Sequence, residues 1–190
     1  MANKNPERRA RTRERIMDAY WGLYAADPSR NVTVSAVIEK ADVHRSTFYE
    51  YFGDADAVLL AIEDDLAALF EEESAGALSG DAADPAGIVQ LVYVAHGDRL
   101  SLLLGNSGDP RFTRRVKDAL RPVAMSKLGI AGDPFGPYLF EFAVSGLLAA
   151  ASLWYERGCE LSPDEFGEGI QAMLRGATTC GMRHNVPRNG

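Results

Sequence analysis

Residues 43–52, VHRSTFYEYF, bring hydrogen-bonding side chains and aromatic rings together within ten positions. The forked guanidinium of Arg45 is shaped to address guanine O6 and N7 together. The hydroxyls of Ser46 and Thr47 can bond base edges or phosphates, and the Thr47 methyl can touch a thymine methyl. His44 adds an imidazole just before them. Tyr49 lies four residues beyond Arg45 on the same helical face, where its hydroxyl can reach a phosphate. Phe48 and Phe52, also four apart, share a neighbouring face. Polar atoms would then face outward while the rings seat a helix too short to be stable alone, against the first helix near Tyr20 and Leu23. The same residues also fit a capped, solvated first turn followed by ordinary core aromatics.

The elements around this stretch give it a frame. RERIMDAYWGLYAA places Ile16, Tyr20, Leu23 and Tyr24 on one face of a first helix, and ADPSRN ends it. Thr33 is an expected N-cap for VSAVIEKA. ADVH then breaks the chain, with Asp42 in a tight turn, and a second short helix is predicted from about Arg45 to Phe52. Two short helices joined by a tight turn form a helix-turn-helix, here about 33–52. In that arrangement the second helix enters the major groove of DNA with its N-terminal residues toward base edges. Thr33 and Ser35 at the start of the first short helix join His44, Arg45, Ser46, Thr47 and Tyr49 as candidate DNA contacts.

Charge is distributed to match. The 190 residues carry a net −7, yet residues 1–52 hold nine Lys/Arg against seven acids, leaving −9 for the remainder. The first fifteen residues hold six basic and two acidic groups, and Arg11 is the candidate DNA contact within this arm. A solvated charge run at a frayed terminus has the same composition. Two cysteines, Cys159 and Cys180, and three scattered histidines, His44, His96 and His184, have neither disulfide-framework nor metal-ligand spacing. No metal or cofactor is expected. The N-terminus lacks an apolar signal segment, and the least polar stretch, 141–156, is short for a bilayer. A cytoplasmic protein with no membrane partner is expected.

Beyond residue 53 the chain continues to read as helix. GDAD breaks it, with Asp54 as N-cap of a helix whose stripe is Val58, Leu59, Ile62, Leu66, Leu69 and Phe70. Residues 74–85, SAGALSGDAADP, read as a loop. Further helices are predicted at about 86–96, 98–105, 110–127, 134–157 and 163–182. In the last, Ser162, Pro163 and Glu165 form a capping box. No stretch alternates long enough to be a strand. The fold class is all-α: a helix-turn-helix domain over 1–53, then a helical effector-binding and dimerisation domain over 54–190. Gly146, Ala149, Ala150 and Leu153 on one helix, with Ile170, Met173 and Leu174 on the next, suit a four-helix homodimer interface, although either stripe also suits a monomer core. Tyr93, His96, Phe112 and Phe142 are candidates to line an effector pocket, or to be core.

Residues from about Arg11 to Leu60 resemble the DNA-binding domain of TetR-family transcriptional regulators. The likeness rests on Ile16, Ala19, TV at 33–34, ADV at 41–43 and above all STFYEYF at 46–52. A looser likeness to one subgroup's dimerisation region extends over 109–180, through Tyr138, Phe142, Gly146, Trp154, Gly158 and Ser162-Pro163. The resemblance implies an all-α homodimer that binds a palindromic double-stranded DNA operator as a repressor and releases it when a small-molecule effector binds. The chain departs from the family pattern at three places. Asp42 stands where the turn usually has Gly, His44 where Ser often caps the second helix, and Ala55 where a phosphate-binding Lys commonly opens the fourth. Asp54 and Asp56 flank Ala55 and add negative charge. An alternative is a helical ligand-binding or carrier protein, or an enzyme, with a weakened DNA-binding face. No nucleophile–base pair, phosphate loop or metal motif supports catalysis.

Overall fold

The computed structural model describes residues 6–28, 31–79, 84–105, 108–127 and 129–181. Among them, the regular elements are eight α-helices with no strand. They are α1 (Pro6–Tyr24), α2 (Val34–Ala41), α3 (Arg45–Tyr49), α4 (Ala55–Ser79), α5 (Pro85–Leu103), α6 (Pro110–Lys127), α7 (Gly136–Glu156) and α8 (Pro163–Gly181). The chain is all-α, as the absence of period-two patterning requires. Lys4, Ser29, Arg30, residues 80–83, the predicted helix end at 182 and His184 lie outside the described residues, as does the side chain of Cys180.

The chain divides into two compact units, Met1–Leu66 and Ala67–Gly190. The sequence reading places the boundary at 53. The first unit reaches further because the opening turns of α4 present Ala55, Val58, Ile62 and Leu66 as buried residues. With Ile16, Met17, Ala19, Tyr20 and Trp21 of α1, Val37 and Ala41 of α2, and Phe48 and Phe52, they make up that unit's core. α1 packs on α2.

Local chemistry sets the ends of these elements. The Thr33 Oγ1 accepts from Ala36 N at 3.3 Å and caps α2. α2 ends at Asp42 in the left-handed region (φ 49°, ψ 55°), and the Asp42 and Val43 amides close the turn on Glu39 and Ile38 carbonyls. Glycine adopts that conformation freely, whereas aspartate tolerates it at a modest cost. α3 is one regular turn of five residues, shorter than the predicted 45–52, although Phe52 N still bonds Phe48 O at 3.0 Å. Asp54 Oδ1 accepts from Ala57 N at 2.7 Å and caps α4. The loop predicted from residue 74 begins later. α4 runs on through Ser79 because Ser74 and Ala77 continue the buried i, i+3, i+4 face of Ala67 and Phe70.

In the second unit α5 packs on α6, α7 and α8, α6 on α7, and α7 on α8. The two helices predicted at 86–96 and 98–105 are a single α5 with a kink, where His96 leaves helical geometry (φ −137°, ψ 23°). Gly97 follows, and an added Cβ there would lie 2.2 Å from a Tyr155 ring carbon, so the ring occupies the space a side chain would need. Asp84 Oδ1 caps α5 through Gly87 N at 2.9 Å. Lys117 pairs with Glu141, which also accepts from Ser145 at 3.2 Å, tying α6 to α7. The hydrogen bond from Lys117 holds the Glu141 carboxyl below the usual carboxylate range. α8 opens with the reciprocal capping box: Ser162 N to Glu165 Oε2 at 2.9 Å and Glu165 N to Ser162 Oγ at 3.3 Å. The Trp154 ring stacks on Phe166 at 4.8 Å and donates to the Leu161 carbonyl at 2.9 Å, which fixes the α7–α8 corner. The turn there carries Gly158 and Cys159 in the left-handed region. α7 matches the helix predicted at 134–157 and starts five residues before the least polar stretch, 141–156. Its 21 residues are apolar and long enough by composition to cross a membrane. Leu139, Phe140, Ala143, Val144, Leu147, Leu148, Ala151 and Trp154 bury its inner face in the unit's core.

Two predictions follow from this core. Phe48 is fully buried, so Phe48→Ala should destabilise the first unit by roughly 3–5 kcal/mol in denaturant unfolding, whereas Tyr49→Phe, at a surface position, leaves it nearly unchanged. Burial also pushes the Tyr20 and Tyr93 hydroxyls up to about 12. Asp56 adds to the shift at Tyr20, and the Ser152 hydrogen bond partly offsets it at Tyr93. An unfolded tyrosine loses its proton near pH ~10, while these two keep theirs when folded. Their stabilisation is complete below about pH 10 and is lost as pH rises toward about 12. Tyr20→Phe and Tyr93→Phe should each delete one late component from a tyrosinate absorbance titration.

Candidate nucleic-acid interface

α3 is the element that presents the opening residues. His44 is its N-cap in extended geometry (φ −71°, ψ 149°), and its side chain makes no capping hydrogen bond. The exposed imidazole therefore stands at the helix start. Arg45 and Ser46 are exposed, Thr47 is half-buried and Tyr49 is 48% exposed. Phe48 (0%) and Phe52 (7%) are buried, with ring centroids 6.0 Å apart. The angular division holds: 45 and 49 face out, and 48 and 52 face in. Tyr20 of α1 is buried and Leu23 half-buried in the same unit. From α2, Thr33 and Ser35 are exposed. The Thr33 oxygen already serves as cap, which leaves its hydroxyl proton to donate outward.

The Arg45 side chain is held in place. Its Nη2 donates to the Tyr49 hydroxyl at 3.3 Å, and its Cζ lies 5.6 Å from the centre of the Tyr49 ring. One of the five guanidinium N–H groups is used in this bond, and the others remain to donate to a further partner.

The basic arm is less uniform than the sequence suggests. Arg11 is exposed on α1. Arg13 makes a two-point pair with Asp65, Nη1–Oδ2 at 2.9 Å and Nη2–Oδ1 at 3.2 Å, and this bond raises the Arg13 pKa. The Lys40 ammonium lies over Gly22 of α1, 2.6 Å from where a Cβ would stand. Asp65 lies in α4, which the sequence boundary assigns to the other domain. Through Leu66 there are twelve acidic and nine basic residues, a net of −3 instead of the +2 counted to residue 52. Ala55 is buried, and Asp54 and Asp56 beside it are exposed. The Asp54 carboxylate sits on the N-terminus of α4, a favourable place for negative charge. The Asp65 pairing has no signal in sequence, since α1 and α4 approach one another only in the folded unit.

A second surface lies on α7 and α8. Tyr138 and Phe142 are each 70% exposed and Leu153 is 55% exposed. With the exposed Gly146 and Ala149, their spacing makes one continuous stripe along α7. Ala150 is half-buried at its edge. On α8, Met173 is 71% exposed, Leu174 half-buried and Ile170 buried, so Ile170 belongs to the unit's core and Met173 to its surface. Phe142, a candidate for the effector pocket, falls on this outward stripe and apart from the enclosed residues. Of the other three, Tyr93 and Phe112 are fully buried, and His96 is half-buried at the α5 kink. The Tyr93 hydroxyl bonds Ser152 Oγ at 2.7 Å, a polar contact between α5 and α7 that sequence spacing does not reveal. Among the described residues, no group of three or more His, Cys, Asp or Glu is placed to hold a metal ion.

Glycines sharpen the reading of the second surface. Gly97 and Gly167 lack side chains because Tyr155 and Gln90 fill the space. Gly146, Gly169 and Gly176 face open space, and a Cβ at any of them would meet nothing in this chain. Glycine inside a helix costs about 1 kcal/mol relative to alanine. Gly146→Leu should therefore raise the stability of the isolated chain while weakening any self-association through α7. Sedimentation velocity and thermal unfolding of the variant measure the two effects, and a dimer that survives Gly146→Leu with full affinity would exclude α7 from the contact.

No protein-family model matches the chain, and no curated protein matches it in sequence. Solved structures do match it. A TetR transcriptional regulator from Streptococcus agalactiae 2603V superposes with a TM-score of 0.65 at 20% identity, covering 88% of this chain and 96% of that one. A protein assigned to the TetR family from Syntrophomonas wolfei gives 0.68 at 15% identity, covering 95% and 99%. The fatty acid degradation regulator FadR from Bacillus halodurans gives 0.62 at 15% identity, covering 92% and 97%. The exposed helix-turn-helix and the helices that follow it thus form the fold of the TetR-family transcriptional regulators.

Proposed function

We propose that the chain is a TetR-family regulator: a cytoplasmic homodimer that binds a palindromic DNA operator as a repressor and releases it when a small molecule binds the second unit. The observation that carries this reading is the division of α3. Arg45, Ser46 and Tyr49 face solvent, while Phe48 and Phe52 anchor the helix from behind. A five-residue helix is sustained by its anchor, and the residues left outside are those that read base edges and phosphates. His44, Thr47, Thr33, Ser35 and Arg11 complete the contact set from the helix start, α2 and the arm.

Dimerisation is supported by the outward stripe of α7 with Met173 and the open glycines of α8. A two-fold axis through that stripe gives each protomer one α3, and the pair must stand about 34–36 Å apart to enter successive major grooves. An effector that favours another separation shifts the population away from DNA. Tyr93, Phe112 and His96 are the residues proposed to sense it, because α5 is kinked at His96 and joined to α7 by the Tyr93–Ser152 bond. Phe142 is assigned to the dimer stripe.

A carrier protein is the competing reading, and the net −3 of the first unit is what favours it. Operator selection from random duplexes with the purified protein separates the two. A regulator enriches a palindrome and binds it with steep salt dependence, whereas a carrier enriches nothing. Arg45→Ala is expected to weaken binding to the selected operator by roughly 1–3 kcal/mol and to relax preference at one base pair per half-site. Unchanged affinity and preference would remove Arg45 from base reading.

A further inference from the structure

A second arginine of the first unit stands over a tyrosine. The Arg9 Cζ lies 5.7 Å from the centre of the Tyr51 ring, much as Arg45 lies 5.6 Å from that of Tyr49. Tyr51 is half-buried in the turn that follows α3, and Arg9 is exposed in the opening turns of α1. The pair therefore brings a cation from the N-terminal arm to the C-terminal end of α3. That end has no cation of its own nearby in sequence: Gly53, Asp54, Ala55 and Asp56 follow Phe52.

We propose that Tyr51 is a positioning residue that holds Arg9 as a DNA-phosphate contact at the C-terminal end of the recognition helix. The inference rests on the DNA-binding function proposed above and adds to it a residue pair and a division of labour. Three observations converge on it. The first unit is net −3, so its attraction to a polyanion depends on where its nine cations stand. One of its basic side chains, Arg13, is engaged elsewhere, on Asp65. Arg9 is directed toward the α3 end, beside the Tyr51 ring, and a guanidinium can offer two N–H groups to phosphate oxygens. A long side chain already held in place loses less conformational freedom on docking than one free in solvent. Arg45 with Tyr49 would then read a base, and Arg9 with Tyr51 would fix the register on the backbone.

The test compares wild type, Arg9→Ala, Tyr51→Phe, Tyr51→Leu and the Arg9→Ala/Tyr51→Leu double variant. Each is titrated by fluorescence anisotropy against the selected operator over a series of salt concentrations. Tyr51→Phe keeps the ring and should bind within about twofold of wild type. Arg9→Ala and Tyr51→Leu should each weaken binding about threefold to tenfold, with a salt slope shallower by about one per protomer. The double variant should be no weaker than Arg9→Ala, and sequence preference should be unchanged throughout. If Tyr51→Leu unfolds, Tyr51→Met takes its place, as it keeps apolar bulk without a π face. The proposal is overturned if Tyr51→Phe is as weak as Tyr51→Leu, since the hydroxyl would then be the contact. It is overturned equally if the losses add in the double variant, or if Arg9→Ala binds with wild-type affinity and slope. A wild-type protein that selects no duplex removes the DNA-binding function itself. A null result for Arg9→Ala beside a changed preference for Arg45→Ala removes only the role of Arg9.

Discussion

The first unit depends on the burial of Phe48 and Phe52. α3 is five residues long, far below the length at which a helix sustains itself in water. Its backbone closes one turn, and tertiary burial has to supply the rest. The Phe48 ring within it and the Phe52 ring just beyond it are both taken out of water. With Phe48 turned inward, the 100° step between residues turns Tyr49 away from it, and Arg45 is left exposed at the helix start. The exposed polar face and the buried anchor are therefore two consequences of one turn of helix.

The second unit is arranged around close helix approach. Gly97 admits Tyr155, and Gly167 admits Gln90, so α7 and α8 press onto α5 where side chains have been deleted. The buried Tyr93–Ser152 hydrogen bond adds a polar contact to the same α5–α7 seam, and the kink at His96 lies within one turn of it. The outer faces of α7 and α8 use small residues differently. Gly146, Gly169 and Gly176 make room for nothing within the chain. Their neighbours Tyr138, Phe142, Leu153 and Met173 are large and solvent-facing. Apolar bulk beside unfilled space is the form expected of a surface that closes against another helix pair.

Electrostatics changes most between the linear and the folded chain. Counted to residue 52, the N-terminal segment is basic; counted over the unit that folds together, it is acidic, because α4 brings Asp54, Asp56, Glu63, Asp64 and Asp65 with it. Asp65 takes up Arg13. That pair is solvent-exposed and contributes little to stability, but it removes a cation from the arm. Arg9 and Arg45, each beside a tyrosine ring, remain exposed.

Much of this molecule is readable from its residues in order. The all-α class, the Thr33, Asp54 and Ser162 caps, the Asp42 turn and the in-and-out division of α3 are local matters. They depend on side chains within four positions of one another, and periodicity records them directly. The continuation of α4 through Ser79 was hidden because Ser, Ala and Gly read as loop until burial of Ser74 and Ala77 reveals a helical face. The single kinked α5 was hidden because a break in pattern does not distinguish a loop from one distorted residue. Phe142 reads as pocket lining or core until the packing of α7 turns it outward. The Arg9–Tyr51, Arg13–Asp65 and Tyr93–Ser152 contacts join positions far apart in the chain, and no local rule sets such distances. What the sequence determined by itself is whatever a helix's own period and caps encode. Tertiary structure alone decided which face of each helix meets another, because that depends on how helices close upon one another in space.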